Sequence, residues 1–297
     1  MKNDHEMFEC RLCGHSVEHR QWGGGECIVC GSVSVGSLPT EEELDNFYHS
    51  FNKTYVGGGR SGGRNLIRYA TKYLRLVQRY VGKGELIDVG SSRSPFPNIA
   101  VNAGFSVTVM DYVQPKELNS MVRFITGNLN NDNSFCTHVQ MYDVVTAWAV
   151  IEHALNPQLA CRILSGICNP GGFVFLSTPE IGTYFTQSAV GRSGWFFPPE
   201  HLHLISPLSM KAILAENDCD LLEYGRIEIN FFRYLARYGI GLIESIVGLL
   251  VKKLLPTEWK ALREKRIQKF KGIMYYVFQK HGATLNNPVH PINNQCD

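Results

Sequence analysis

The chain has 297 residues, a formal net charge of +2 and 44% hydrophobic residues, so its composition predicts a globular protein and its charge indicates no particular partner. Residues 1–9 are polar, unlike a signal peptide, and we find no stretch of about 18 uncharged apolar residues that would predict a membrane span. We therefore expect a cytoplasmic protein, in which most of the nine cysteines are reduced.

Four cysteines form two matched pairs near the start of the chain. Cys10 and Cys13, like Cys27 and Cys30, are two residues apart, and a glycine follows each pair. This spacing lets both thiolates of a pair reach one ion, and the glycine permits the tight turn. Because four thiolates complete a tetrahedral shell, we predict a zinc ribbon over residues 1–37 with a structural Zn²⁺. Disulfides or unrelated cysteines are the alternative.

A helical lead-in is predicted over residues 38–82. Thr40 and Glu43 have the spacing of a capping box, which indicates the start of a helix. The glycine-rich stretch 57–63 predicts a flexible lid, and the apolar periodicity of 65–81 predicts a second helix.

Short apolar strands then alternate with helical stretches over residues 83–280. Such alternation predicts an α/β domain with a parallel sheet and helices on both faces. The polar stretch 281–297 is predicted to be a disordered tail. The predicted strands are 85–89, 106–110, 122–126, 142–148, 172–178, 220–229 and 273–279, and the predicted helices include 157–168 and 207–217.

Acidic residues end two of these strands, at the edge of the sheet where parallel folds bind nucleotides. Asp88 and Gly90 end the first strand, and Ser91 and Ser92 continue the turn. Asp111 ends the second strand, where its carboxylate is suited to accept hydrogen bonds from ribose hydroxyls. The glycine pattern that binds a pyrophosphate is missing, which argues against NAD.

Together with these two strand ends, three further segments carry a family resemblance: 142–153, which ends in Glu152-His153, 171–179 and 195–206. On these segments the sequence resembles class I S-adenosylmethionine-dependent methyltransferases, and in particular the small-molecule group that includes ubiquinone-biosynthesis and sugar methyltransferases. The resemblance covers roughly residues 40–230 plus the last strand, and it implies a Rossmann-like sheet of seven strands.

The resemblance also implies a role for individual residues in binding S-adenosylmethionine. One departure is that the family's Gly-x-Gly-x-Gly loop has Gly90, Ser92 and Ser94 at the corresponding positions. The implied contacts are Asp88, Gly90, Ser91 and Ser92 around the methionine end, Asp111 on the ribose, Tyr112 on the adenine face, and Asn128 and Leu129 at the adenine edge. Trp148 is a separate candidate to line the pocket, with a position in the core as the alternative.

Methyl transfer to a hydroxyl requires alignment and benefits from a base that removes the proton, and histidine suits this role near neutral pH. His201 is the favoured base and His153 the second candidate, with Glu152 as the residue that orients a histidine. Tyr48 is a candidate to close over the cofactor.

Residues 231–270 are predicted to form a helical insertion before the last strand. An apolar helix is followed by a basic segment, and the insertion has nine Lys/Arg against three Asp/Glu, a net charge of +6. A lid over the pocket or a homodimer contact is the favoured interpretation. A peripheral membrane contact through 240–270 is the second, and nucleic-acid binding is the third.

These observations predict methyl transfer to a small-molecule or glycan acceptor, such as a sugar nucleotide, a polysaccharide or a lipid-linked intermediate. An RNA methyltransferase and a non-catalytic binding module are the alternatives. Nucleic acid is disfavoured because acidic residues outnumber basic ones in 1–37, and because the Asn/Asp-Pro-Pro-aromatic motif of base methylation is missing after the fourth strand.

Overall fold

The computed structural model describes residues 7–18, 23–54, 60–130, 140–181, 200–227 and 273–282. The strands are β1 (Met7–Glu9), β2 (Ser16–Glu18), β3 (Gly24–Glu26), β4 (Val33–Val35), β5 (Glu85–Val89), β6 (Ser106–Asp111), β7 (Arg123–Thr126), β8 (Tyr142–Trp148), β9 (Cys168–Pro179), β10 (His203–Leu204), β11 (Cys219–Arg226) and β12 (Ile273–Lys280). The helices are α1 (Glu41–Thr54), α2 (Arg60–Gln78), α3 (Phe96–Asn102), a 3-10 turn (Ile151–His153), α4 (Pro157–Gly166) and α5 (Pro207–Ala215).

The main sheet has seven strands in the order β11-β12-β9-β8-β5-β6-β7. Strands β5 to β9 are parallel, whereas β12 is antiparallel to both β9 and β11. Strands β6 and β7 follow on one side of β5, whereas β8 and β9 lie on its other side, so the strand order reverses between β5 and β8. Ligands of such sheets bind outside the carboxyl ends of the strands at that point. The predicted Rossmann-like fold is confirmed.

Helices cover both faces of this sheet because its central strands are apolar on both sides. On β5, Leu86 faces the cluster that contains α2 and α3. Ile87 and Val89 face the opposite cluster, which contains α4, α5 and the cysteines of the ribbon. This alternation is the strand period of two residues, and it fixes which side chains reach each layer.

The ribbon is joined to the main domain by a shared sheet. Strands β1 and β2 form one antiparallel hairpin, and β3 and β4 form a second. Strand β4 also pairs antiparallel with β10, with Ser34 opposite His203 and Val33 opposite Leu204. The second ribbon hairpin therefore shares a three-stranded sheet with the segment that follows His201.

The lead-in differs from its prediction at the glycine-rich stretch. Helix α2 begins at Arg60, so 60–63 continue a helix where a lid was predicted, while 57–59 lie outside the described residues. The capping box at the start of α1 is confirmed: the Glu43 backbone N–H donates to Thr40 Oγ1, and the Thr40 N–H donates to Glu43 Oε2. No helix in the described ranges is both long and apolar enough for a membrane span.

The insertion 231–270 and the tail from 283 onward lie outside the described residues. The lid, dimer and membrane interpretations of the insertion, and the disorder of the tail, therefore stay predictions.

Candidate functional site

The four paired cysteines converge on one point. Their sulfur atoms all lie within 4.8 Å of one another, with Cys10 Sγ 3.6 Å from Cys30 Sγ and Cys13 Sγ 3.5 Å from Cys27 Sγ. These separations exclude disulfides, whose sulfurs are about 2.05 Å apart. Ligands at the Zn–S distance of about 2.3 Å place tetrahedral sulfurs roughly 3.8 Å apart. The thiol groups therefore fit one tetrahedral ion.

Each cysteine pair closes as a tight turn on a left-handed glycine. Gly14 has a φ of +73° and Gly31 a φ of +70°, and their N–H groups donate to the carbonyls of Cys10 and Cys27. The hydrogen bond between Cys10 and Cys30 lowers the pKa of Cys30 and raises that of Cys10.

The turn after β5 lies at the reversal point of the sheet. Gly90 has a φ of +70°, and a Cβ at this position would lie 2.7 Å from Val150 Cγ2. Ser92 is also left-handed, with a φ of +49°, while the Ser94 hydroxyl accepts from the Phe96 N–H at the start of α3. Gly90 is therefore required both by its left-handed backbone and by the lack of space for a Cβ. Ser92 and Ser94 are compatible with the same turn, although the family has glycine at these positions.

Asp88 and Ser91 present buried polar atoms at this turn. Asp88 Oδ1 accepts a hydrogen bond from Thr146 Oγ1 at 2.6 Å, but Asp88 Oδ2 and Ser91 Oγ have no partner among the described residues. Burial raises the pKa of Asp88 to about 7. An unpaired buried acceptor is costly, so these two atoms fit a ligand that carries hydrogen-bond donors.

Asp111 connects the two strand ends. Its Oδ2 accepts from the Ser92 N–H at 2.6 Å and its Oδ1 from the Tyr112 N–H at 2.7 Å. Burial raises the pKa of Asp111, and these backbone bonds offset part of that rise. A carboxylate has about four acceptor sites, so acceptor capacity remains for a ribose hydroxyl. The Tyr112 ring stacks on the Tyr48 ring at a centroid distance of 5.6 Å.

Three other residues of the predicted cofactor site make contacts that do not test their predicted roles. Asn128 lies in the loop after β7, where its Oδ1 accepts from the Asn130 N–H. Leu129 belongs to the buried core on the α4 side. Trp148 belongs to the buried cluster on the opposite face and stacks on Tyr73 at 3.9 Å. Its place beside the pocket stays a prediction.

Glu152, His153 and His201 form a second cluster at the end of β8. One ligand atom of each lies within 4.8 Å of the others, a spacing that suits proton exchange or a divalent cation. The His153 and His201 rings meet edge to face at 4.6 Å, and His153 Nε2 is 4.0 Å from Glu152 Oε1. His153 Nδ1 forms a 3.0 Å hydrogen bond with the Tyr48 hydroxyl, a link that the sequence did not predict.

Burial sets the charge state of this cluster. It raises the pKa of Glu152 to about 8 and lowers the pKa of His153 to about 3, with His201 adding to the second effect. Both carboxylate oxygens of Glu152 lack a partner among the described residues. Glu152 and His153 are therefore largely uncharged near pH 7.

His203 makes its hydrogen bonds outside this cluster. It is fully buried, and its two ring nitrogens contact Ser34 Oγ and the Ala154 carbonyl. Trp195, Phe196 and Phe197 lie outside the described residues.

Comparison with known proteins matches this chain to methyltransferases. A family model described as "Methyltransferase domain" matches residues 64–224, which is more than half of the chain. A mitochondrial ubiquinone biosynthesis O-methyltransferase of Dictyostelium discoideum is 25% identical over 149 residues, which cover 48% of this chain and 45% of that protein. This chain aligns with about half the length of the curated relatives it matches.

Two solved structures share the fold. The [4+2]-cyclase SpnF has a TM-score of 0.55 at 13% identity, covering 84% of this chain and 99% of that chain. A 1,6-didemethyltoxoflavin N1-methyltransferase of Burkholderia thailandensis, solved with S-adenosylhomocysteine, has a TM-score of 0.51 at 12% identity, covering 86% and 98%. At these identities the likeness shows the fold alone.

Proposed function

Because this chain belongs to the methyltransferase-domain family, we propose that it transfers the methyl group of S-adenosylmethionine to a hydroxyl group of a small molecule. The observation that carries the proposal is the pair of strand ends at the sheet reversal. There the buried Asp88 carboxyl and the Asp111 carboxylate flank a left-handed turn at Gly90 that leaves no room for a side chain. Small-molecule O-methylation also agrees with the names of the curated relatives.

The residues of this turn would hold the cofactor. Asp88 Oδ2 and Ser91 Oγ would accept from the ammonium group of its methionine end, and the remaining lone pairs of Asp111 would accept from its ribose. The N–H groups of the turn and the Tyr112 ring would contact the remaining parts of S-adenosylmethionine. When bound, the cofactor supplies a methyl group that its sulfonium charge has already activated.

The Glu152 cluster would carry out the proton transfer. His201 is the proposed base: it accepts the proton of the acceptor hydroxyl as that oxygen takes the methyl group. His153 would support this step as a neutral imidazole, since burial keeps its pKa low and its Nδ1 is bonded to Tyr48. The protonated Glu152 carboxyl would orient the histidines by donating a hydrogen bond.

The Cys10, Cys13, Cys27 and Cys30 cluster would hold a structural Zn²⁺. The sulfur separations fit a tetrahedral shell, and four thiolates leave no open position for substrate. The ion would stabilise two hairpins of three-residue strands, which are too short to be stable alone.

The acceptor class is tested by methyl transfer from methyl-labelled cofactor. The full chain is incubated with 3,4-dihydroxybenzoate, with UDP-glucose, with a lipid-linked sugar and with total RNA, and each product is analysed for a mass gain of one methyl group. We expect label in a small molecule, and loss of it in His201→Asn with binding of S-adenosylhomocysteine retained. Label in RNA alone would contradict the small-molecule assignment. Absence of cofactor binding in calorimetry would contradict the whole proposal.

A further inference from the structure

The second ribbon hairpin contacts the backbone next to the proposed base. The Val35 N–H donates to the Leu202 carbonyl at 3.0 Å, and the Leu202 N–H donates to the Glu152 carbonyl at 2.9 Å. Leu202 directly follows His201 in the chain. The Leu202 carbonyl is therefore bound by the ribbon, and the Leu202 amide is bound by the 3-10 turn that contains Glu152.

The His203 side chain makes a second link between the same partners. Its Nε2 lies 3.0 Å from the Ala154 carbonyl, which can only accept, so Nε2 carries the ring proton. Burial lowers the pKa of His203 to about 3, so the ring is neutral and its Nδ1 accepts from the Ser34 hydroxyl at 3.0 Å. A fully buried imidazole thus joins β4 of the ribbon to the residue that follows the 3-10 turn.

Close to the cysteine cluster, the segment that follows His203 forms a hydrogen bond with Cys30, one of the predicted metal ligands. The Ser206 hydroxyl donates to the Cys30 carbonyl, and the Ser206 N–H donates to Ser32 Oγ at 3.0 Å. The Ser32 and Ser209 hydroxyls are 2.9 Å apart. The second cysteine knuckle and Ser32 therefore contact the N-cap residue and the first turn of α5 through buried hydrogen bonds.

Apolar packing brings the helix of Tyr48 to the same place. Val35, Leu44 and Leu202 form a separate small core with at most 2% of each residue exposed. Tyr48 packs against this Val35 core while its hydroxyl contacts His153. Strand β4 thus supports all three elements that carry Tyr48, the Glu152-His153 pair and His201.

We propose that His203 is a positioning residue through which the ribbon fixes the Glu152, His153 and His201 cluster, so that metal binding by the four cysteines governs methyl transfer. The proposal rests on the proposed function. Loss of the ion would free strand β4 to move and would change the geometry of the Glu152, His153 and His201 cluster. The turn at Gly90 and Asp111 would keep its affinity for the cofactor. The ribbon would then be a working part of the active site.

Two substitutions remove the same hydrogen bond from opposite sides. His203→Gln keeps a donor near the Nε2 position for the Ala154 carbonyl but loses the acceptor for Ser34, and Ser34→Ala removes the hydroxyl. We expect one bound zinc per chain and an unchanged Kd for S-adenosylhomocysteine in both. Methyl transfer to 3,4-dihydroxybenzoate should fall roughly 5–30-fold in kcat, the effect of one buried hydrogen bond. The double variant should be no worse than either single one.

The matched control is Gln158→Ala, which removes another ribbon contact, from Gln158 Nε2 to the Leu12 carbonyl at 3.4 Å. It should change neither kcat nor zinc content. A second readout needs no acceptor: the imidazole ¹⁵N resonances of His153 and His201 should shift in His203→Gln and in Ser34→Ala, but not in the control. Absence of methyl transfer in the unmodified protein would refute the proposed function, whereas these resonances would still decide the coupling.

Two results would overturn the coupling. One is unchanged histidine resonances and unchanged kcat in both variants. The other is loss of zinc together with cofactor affinity, because the hydrogen bond would then stabilise the fold in general rather than the cluster.

Discussion

Replacing Glu152 with glutamine should stabilise the cofactor-free protein, and increasingly so as the pH rises. The Glu152 side chain is fully buried and both its oxygens lack a partner among the described residues. Its pKa in the folded state is raised from 4.5 to about 8. Below pH 4.5 both states are protonated. Above it the unfolded chain releases its proton first, so the free energy of unfolding falls until the folded carboxyl also ionises.

The size of this effect follows from the pKa. At about 1.4 kcal/mol per pH unit, the native glutamate reduces stability by about 3 kcal/mol at pH 7 and by about 5 kcal/mol at pH 9. Glutamine has nearly the same shape and does not titrate. Urea unfolding of the two proteins should therefore give similar stabilities at pH 4.5, and a gap that widens by these amounts. Glu152→Gln should also lose methyl transfer. Higher stability together with lost activity is expected where a residue is retained for function.

A control of opposite sign is available at Glu223. Its carboxylate accepts hydrogen bonds from Arg79, Tyr80 and Tyr275, and these contacts lower its pKa. Glu223→Gln should therefore lose stability at neutral pH, and this loss should vanish as the pH falls through the carboxylate range. If the Glu152→Gln gap does not depend on pH, the pKa of Glu152 is the same in the folded and unfolded states, and the reasoning fails.

Three further predictions concern the turn and the ribbon. Asp111→Asn should weaken binding of S-adenosylhomocysteine by about 10–100-fold in calorimetry, the value of hydrogen bonds to a charged acceptor; a change below threefold would remove Asp111 from the cofactor site. Ser92→Gly should raise the free energy of unfolding by up to about 1 kcal/mol, because a left-handed non-glycine residue is strained; a less stable variant in urea would show that the serine hydroxyl matters more. Cys30→Ser should lose zinc in metal analysis and unfold at lower temperature; zinc retained at one per chain would contradict a four-cysteine site.

The positions of the main strands could be predicted because apolar runs and the residues that end them are local signals. Strands β5 and β8 have the predicted bounds, and β6 extends one residue beyond its prediction, to Asp111. The paired cysteines and their glycines are equally local, so the cluster was predicted from spacing. Strand β9 was predicted to begin at 172, but it begins at Cys168 because pairing of Tyr142 with Cys168 extends the sheet.

The remaining features depend on contacts between distant parts of the chain. Strand β10 has only two residues, too few for a periodic signal, and its partner Ser34 is far away in sequence. Trp148 ends a strand that is buried on both faces, so alternation does not tell which layer it enters. The bond from Tyr48 to His153 requires α1 to pack on the Val35 core.

The pairing of β4 with β10 also dictates when the amino-terminal part of the protein finishes folding. Ser34 and His203 are 169 positions apart. At a synthesis rate of roughly 5–20 residues per second, the ribosome needs about 8–34 seconds to make the intervening chain. During that interval β4 exposes an unpaired edge beside reduced thiols. Early capture of zinc would therefore protect the nascent hairpins from misassociation until β10 emerges.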